Sequence, residues 1–274
     1  MNPIRLVFFA AIIGIAVCLF VNTLPFGLGF MVIMAALTVL WLVSIVLKDA
    51  SIIDIFWGLG FVILAWTYKY ILSANSDRSL IICVLVSIWG IRLALYLANR
   101  NLGKGEDYRY QEWRKEYGTS FWWVSYLRVF LLQGLLLWII GATLLVAQTS
   151  NVWTVVDYLG IILWTIGLAF EAVGDYQLAQ FKKNTDNKGK VLDSGLWRYT
   201  RHPNYFGDAV LWWGIFCFAA SAGAWWTVFS PILMTFLLMK VSGVALLEKT
   251  LIQTKPQYKD YIGRTSAFFP TIPK

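Results

Sequence analysis

The chain has 274 residues, of which 59% are hydrophobic and 14% are charged, and its net charge is +8. A soluble domain of this size could not cover so much apolar surface, so the composition excludes a soluble globular protein. The cysteines lie in apolar segments at spacings that suit neither disulfides nor a metal site, and a single histidine excludes histidine-rich metal centres.

Long apolar segments follow one another along the chain and predict an all-α polytopic membrane protein without a bound metal. About 20 apolar residues cross the roughly 30 Å hydrocarbon core, and most of the segments approach that length. We predict about eight transmembrane helices, with seven to nine as the range. The predicted spans are residues 4–24, 26–47, 52–72, 80–98, 127–147, 155–173, 205–220 and 224–239. The first is expected to be a retained helix rather than a cleaved signal peptide.

Basic residues predict the orientation of these spans. They are concentrated in the links after the fourth and sixth spans and in the C-terminal tail, whereas the opposite links hold only Lys69 and Arg78. The positive-inside bias then places both termini in the cytoplasm, and we expect a multi-pass protein of a bacterial inner membrane. Attraction to anionic lipid would by itself also explain many of the lysines.

Five polar side chains are predicted inside the spans, all in the cytoplasmic half of the bilayer. They are Asp54, Arg92, Tyr96, Glu171 and Asp208. A charge at this depth is costly unless it faces a cavity or a partner, so each residue is a candidate for function. The structural alternative is an ion pair, such as Arg92 with Glu171 or Asp54, or snorkelling of the side chain to the interface.

The densest polar run, residues 195–208, precedes and opens the seventh span. Pro203 fits the first position of a helix, and Asn204 and Asp208 then share one helix face. A helix start with unbonded backbone N–H groups attracts anions. The basic residues that flank it are Arg198 and Arg201. Because His202 has no partnered nucleophile in the sequence pattern, we expect it to contact a cofactor rather than to transfer protons.

Three blocks, residues 174–182, 195–208 and 247–270, carry a family resemblance. From about Ser51 onward the chain resembles the steroid 5α-reductase family (3-oxo-5α-steroid 4-dehydrogenase, C-terminal domain), in particular its broad bacterial branch of undefined substrate. The resemblance implies a catalytic domain over residues 51–274, preceded by N-terminal transmembrane helices in residues 1–50. Isoprenylcysteine carboxyl methyltransferases and sterol reductases have similar Arg-His-Pro cores.

What the resemblance implies is an NADPH-dependent reductase of a conjugated carbon–carbon double bond in a lipophilic enone, steroid-like or another lipid. The implied catalytic residues are Asp54, as the acid that polarises the carbonyl, and Tyr96. The family uses a glutamate where this chain has Asp54 and a tyrosine near the position of Trp89. The predicted cofactor contacts are Arg92, Tyr96, Asn99, Lys104, Glu171, Asp175, Lys182, Lys190, Arg198, Arg201, His202, Asn204, Tyr205, Asp208, Glu248 and Tyr261.

Two other functions compete with the reductase. An S-adenosylmethionine-dependent methyltransferase of the isoprenylcysteine type would share the Arg-His-Pro core. It would also share a C-terminal tail in which a glutamate is followed by two tyrosines. Such enzymes usually open that tail with paired glutamates, whereas here Lys249 follows Glu248. A non-enzymatic transporter or scaffold is the other alternative. The partners we expect are a lipophilic small molecule and membrane lipids, not nucleic acid.

Overall fold

The computed structural model describes residues 12, 14, 23–241 and 243–273, and these residues form helices and no strands. Most of the first predicted span lies outside the described residues. Five described helical segments are long and apolar enough to cross a membrane. They are Thr23–Leu47, Ile52–Ile71, Asp77–Asn101, Tyr108–Ala147 and Val155–Lys183. An all-α, multi-pass membrane protein is therefore the architecture of this chain, but the predicted number of eight spans is not confirmed.

The last two predicted spans differ most from the expectation. Pro203–Ser221 is a continuous helix that begins at the predicted proline, yet it is not among the five, because Asn204 and Asp208 interrupt its apolar run. Residues 224–239 are not one regular helix. Trp225–Val228 is a 3-10 turn, an α-helix follows over Phe229–Phe236, and the chain continues in a π-helical turn. Local sequence hydropathy does not reveal such changes in helix type.

The chain divides into two compact units, which we describe separately. The first consists of the chain up to Trp153 together with Ala222–Thr227, and the second of Thr154–Ser221 and the chain from Val228 onward. The predicted boundary between residues 50 and 51 falls within the first unit.

In the first unit, three long helices are followed by a mixed helical segment. The helices are α1 (Thr23–Leu47), α2 (Ile52–Ile71), α3 (Asp77–Asn101) and α4 (Tyr108–Tyr117), then a 3-10 turn (Gly118–Ser120), α5 (Phe121–Ser125), a π-helical turn (Tyr126–Leu131) and α6 (Leu132–Ala147).

Helices α2 and α3 pack closely because glycine faces glycine. A Cβ atom on Gly58 would lie 2.6 Å from the carbonyl oxygen of Gly90. Helices α1 and α6 are joined by the Trp138 indole, which stacks on Phe26 at 4.2 Å and donates to the carbonyl of Phe26 at 2.8 Å. Small residues that let backbones approach, together with hydrogen bonds between helices, are the usual means of helix association in membranes.

In the second unit, two long helices pack along their length. The helices are α7 (Val155–Lys183), α8 (Pro203–Ser221), α9 (Phe229–Phe236), a π-helical turn (Leu237–Val241), α10 (Val244–Thr254) and α11 (Tyr258–Arg264). Helix α7 starts with a capping box formed by Thr154 and Asp157. Its 29 residues extend about 43 Å at 1.5 Å per residue, which is longer than the hydrocarbon core.

The contact between α7 and α8 depends on glycines that recur every seventh residue in both helices. They are Gly160, Gly167 and Gly174 in α7 and Gly207 and Gly214 in α8. A Cβ atom on Gly167 would lie 2.5 Å from the carbonyl oxygen of Gly207, and one on Gly207 would lie 2.4 Å from that of Gly167. Real Cβ atoms do not approach this closely, so the two backbones can touch only where side chains are absent.

We predict that Gly207→Ala lowers the thermal stability of the purified protein, because the added methyl group must push the two helices apart. Overpacking of this kind costs about 1–3 kcal/mol. The matched control is Gly27→Ala in α1, where a Cβ atom would have nothing within 4 Å. That variant is expected to leave the melting temperature unchanged or to raise it, since alanine favours helix over glycine. Equal shifts in the two variants would contradict the packing argument.

Candidate functional site

The polar run of the second unit is organised around the Arg201 guanidinium. Arg201 Nε donates to Glu248 Oε1 at 2.7 Å, and Nη2 donates to Glu248 Oε2 at 3.1 Å, so the pair is bidentate. Nη1 donates to the carbonyls of Thr265 and Ile262. Only 7% of the Arg201 side chain is exposed. This residue, predicted to contact the cofactor, thus joins the start of α8 to the C-terminal segment.

The single histidine shares the same carboxylate. His202 Nε2 lies 3.2 Å from Glu248 Oε1, and the Tyr258 hydroxyl lies 3.4 Å from that oxygen. Burial, which penalises the imidazolium form, lowers the pKa of His202 below its ordinary 6.5 despite the nearby carboxylate. The neutral ring therefore donates through Nε2. Its ring also stacks on Tyr205, with the centroids 5.6 Å apart.

Glu248 is held in its ionised form by this arrangement. Burial acts to raise its pKa, but the hydrogen bonds from His202 and Arg201 outweigh burial and lower the pKa to about 2. Two further bonds connect the run to the C-terminal segment. Tyr261 donates to the carbonyl of Trp197, and Thr200 Oγ1 donates to that of Phe268 at 2.8 Å. The C-terminal segment is therefore part of the site rather than an appendage.

A second polar cluster lies where α7 meets α8. Asn204 Nδ2 donates to Asp175 Oδ1 at 3.0 Å. Glu171 lies one turn before Asp175 on α7, and Asp208 lies one turn after Asn204 on α8; all three carboxylates are buried. Asn204 Oδ1 is also buried, and no residue in the described part of the chain donates a hydrogen bond to it. We call Glu171, Asp175, Asn204 and Asp208 the acceptor cluster.

Several other basic side chains of the second unit lie outside this cluster and are exposed. Those predicted to bind the cofactor are Lys182, Lys190 and Arg198. Lys182 is in the last turn of α7, and Arg198 ends a 3-10 turn over Gly195–Arg198. The second unit thus combines buried acceptors with exposed cations, a pairing that suits a ligand with both hydroxyl or amide groups and negative charges.

In the first unit, the predicted acid Asp54 accepts hydrogen bonds on both carboxylate oxygens. Arg109 Nη2 donates to Oδ2 at 2.7 Å, and the Tyr110 hydroxyl donates to Oδ1 at 3.0 Å. Arg109 also donates through Nε to Asp107 at 2.8 Å. This pattern is that of a carboxylate, which accepts and cannot donate. Proton donation by Asp54 would require these bonds to break, so its role as an acid stays a prediction.

The remaining predicted residues of the first unit lie along the second half of α3 and just after it. The Arg92 guanidinium carbon is 6.0 Å from the centre of the Tyr96 ring, and that of Arg100 is 5.7 Å from it. Asn99 is exposed, and Lys104 donates to the carbonyl of Arg100. Catalysis by Tyr96 and cofactor binding by these side chains also stay predictions.

Sequence reasoning found most polar members of the site but missed what positions them. Arg201, His202 and Glu248 were expected to contact a ligand, whereas in the structure Arg201 and His202 each form hydrogen bonds with Glu248. The glycines of α7 and α8 were not singled out, although their seven-residue spacing in both helices was a readable signal. Arg109 and Tyr110 lie in the short helix α4, and no local sequence pattern links them to Asp54.

We predict that Glu248→Gln strongly destabilises the protein, because the variant leaves the buried Arg201 guanidinium without a counter-charge. Breaking one side of a buried pair costs about 3–5 kcal/mol. The control is Asp193→Asn, which breaks an exposed pair with Arg264 whose side chains are 53% and 44% accessible. Exposed pairs contribute about 1 kcal/mol or less. Chemical denaturation in detergent measures both, and comparable losses would refute the assignment.

Stability is expected to fall as the pH is lowered through two windows. The unfolded chain protonates His202 near 6.5, but the native chain does so only at lower pH, so below 6.5 the unfolded state binds more protons and stability falls. Between pH 4.5 and about 2, Glu248 is likewise protonated in the unfolded chain but not in the native chain, so stability falls there too. Because the chain has one histidine, His202→Gln should flatten the melting-temperature profile between pH 6.5 and 4.5. An unchanged slope there would contradict this origin.

Comparison with known proteins gives a family and two relatives. The model of the family described as "Protein of unknown function (DUF1295)" matches residues 40–265. An uncharacterized protein of Schizosaccharomyces pombe is 24% identical over 287 residues, covering 92% of this chain and 81% of that protein. The probable O-methyltransferase ustE of Ustilaginoidea virens is 46% identical over 46 residues, covering 17% of this chain and 16% of that protein. No solved structure matches.

The family match extends from α1 to the end of α11 and includes both polar clusters of the second unit. The chain belongs to the DUF1295 family, within the group of steroid 5α-reductase-like and methyltransferase-like membrane proteins.

Proposed function

We propose that this protein is an NADPH-dependent membrane reductase that reduces a conjugated carbon–carbon double bond in a lipophilic enone. The observation that carries the proposal is the Asn204 amide, whose Nδ2 is fixed on Asp175 while its buried Oδ1 accepts no hydrogen bond from the described residues. A buried acceptor in this state costs free energy, which a donor on a bound ligand recovers. The carboxamide and hydroxyl groups of NADPH are such donors.

The charges of the second unit also fit this cofactor. The phosphates of NADPH require cations, and Lys182, Lys190 and Arg198 place positive charges at exposed positions of this unit. The acceptor cluster would hold the amide and hydroxyl groups. The acceptors are buried and the cations are exposed, and NADPH carries both amide and hydroxyl donors and phosphate charges.

Several residues of the second unit have a definite role in this proposal. Bound NADPH supplies the hydride. Asp175 fixes the orientation of the Asn204 amide, so that Oδ1 and not Nδ2 is presented to the ligand. The direct contact of α7 with α8 keeps this region dry, which strengthens each hydrogen bond there. Arg201 and Glu248 hold the C-terminal segment against the start of α8.

A second candidate function is methyl transfer from S-adenosylmethionine. The local similarity to a probable O-methyltransferase favours it. S-adenosylmethionine has no phosphate group, so it would not use the positive charges of the exposed Lys182, Lys190 and Arg198. We therefore place the reductase first, and we propose with it the steroid 5α-reductase type, its bacterial branch and an inner-membrane location with cytoplasmic termini.

The test is thermal stabilisation of the purified protein by each cofactor. We expect NADPH to raise the melting temperature, since a ligand that binds only the native state stabilises it in proportion to log concentration. Asn204→Ala should abolish most of the shift, and Asn151→Ala, at an exposed position of the first unit, should preserve it. Stabilisation by S-adenosylmethionine and not by NADPH would overturn the reductase in favour of the methyltransferase.

A further inference from the structure

Two exposed tyrosines mark the edges of the membrane along α7. Tyr158 lies in the first turn of this helix and Tyr176 about two turns before its end, and both side chains are exposed. Their positions are 18 residues apart, or about 27 Å at 1.5 Å per residue, close to the roughly 30 Å of the hydrocarbon core. Tyrosine is enriched at both membrane–water interfaces. One membrane edge therefore lies close to Tyr176.

A row of aromatic rings brings the chain after α11 back to this edge. The centre of the Phe170 ring on α7 lies 5.2 Å from that of Phe206 at the start of α8. The Phe206 ring in turn lies 6.0 Å from that of Phe268 and 6.3 Å from that of Phe269. Phe170 precedes Tyr176 by six residues, or about 9 Å, so it lies on the hydrocarbon side of the edge. Two ring contacts away from it, Phe269 lies at the edge of the membrane.

Phe269 is exposed although the backbone on both sides of it is fixed. On one side, Thr200 Oγ1 donates to the carbonyl of Phe268 at 2.8 Å. On the other side, the backbone N–H of Thr271 donates to the carbonyl of Tyr199 at 3.0 Å. A loose tail could turn its apolar side chains inward, but this segment is held in place while 62% of Phe269 stays accessible. The exposure of this ring is therefore part of the fold.

Other exposed apolar side chains lie near the same edge. Ile272, which directly follows Thr271, is 86% exposed, and Val173 on α7 is exposed one turn after Phe170. Helix α7 is long and apolar enough to cross a membrane, so Val173 faces lipid. Exposed apolar patches mark surfaces that another phase or partner covers. Lipid covers this one without any further partner, because α7 already places the bilayer beside it.

We infer that residues 268–272 form an interfacial anchor, in which Phe269 and Ile272 insert between the headgroups and the acyl chains of the bilayer that α7 crosses. The partner is the lipid surface and not a second copy of this chain. Because the anchor is hydrogen-bonded to Tyr199 and Thr200, it also holds this part of the polar run at the membrane surface. The inference does not rest on the proposed reductase, since neither inserted side chain belongs to the acceptor cluster or to the exposed cations.

Spin-label accessibility of the full-length protein in phosphatidylcholine vesicles tests the inference. A nitroxide is attached to Phe269→Cys or to Ile272→Cys in a Cys18→Ser background, because Cys83 and Cys217 are buried and escape labelling. Molecular oxygen concentrates in lipid, whereas a polar nickel chelate stays in water, so the ratio of their collision rates with the label reports its depth. The unmutated Cys18→Ser protein, treated in the same way, measures background labelling.

Two exposed positions on α7 calibrate the measurement. Ile166→Cys lies ten residues before Tyr176, or about 15 Å inside the edge, and Lys183→Cys lies seven residues after it, or about 10 Å into water. We expect the ratio of oxygen to nickel collision rates at Phe269→Cys and at Ile272→Cys to lie between these two values and nearer to that of Ile166→Cys.

The anchor is refuted if either label gives the ratio found at Lys183→Cys, which would place it in water. It is also refuted if both reagents collide rarely with the labels, because protein then covers this surface; dipolar broadening that disappears on dilution with unlabelled protein would identify a second copy. The melting temperature of each labelled variant shows that it is folded. Its shift with NADPH, measured on the same samples, distinguishes failure of the anchor from failure of the proposed reductase.

Discussion

The direct contact between the backbones of α7 and α8 is the constraint on which the second unit depends. Gly167 and Gly207 approach so closely that neither position tolerates a side chain without movement. The same contact brings Asp175, about two turns before the end of α7, within hydrogen-bonding distance of Asn204 at the start of α8. Since apolar side chains gain little from association in lipid, close packing of small residues is what holds such helices together. The geometry of the polar cluster therefore depends on residues that have no side chain.

The buried ion pair between Arg201 and Glu248 has a different role from the helix contact. Arg201 and Glu248 come from segments far apart in the chain, and their bidentate bond fixes one segment on the other. Replacing such pairs by apolar residues is often neutral for stability, so the bidentate geometry, rather than added stability, is what distinguishes this pair. A bidentate ion pair permits one relative orientation of the two segments. In that orientation Tyr261 and Thr200 donate hydrogen bonds to backbone carbonyls.

The sequence predicted membrane helices, the helix start at Pro203 and the polar residues of the second unit, because these depend on local composition and spacing. It did not predict which polar groups pair with one another. Arg109 and Asp54 are separated by an entire transmembrane helix, and their contact follows from packing that no local pattern encodes. The predicted number of eight spans is not confirmed, and the segment over residues 224–239 shows why hydropathy alone does not fix that number. Hydropathy counts apolar residues, but it does not register where a helix shortens or changes its hydrogen-bonding pattern.

The position of Glu248 in the chain has a consequence for biosynthesis. Arg201 emerges from the ribosome well before its counter-ion and before the carbonyls of Ile262 and Thr265 that complete its hydrogen bonds. During synthesis the Arg201 guanidinium can therefore form these bonds only after the final helices have been translated. Assembly of this region is thus a late event that couples the quality of the finished site to completion of the C-terminal segment.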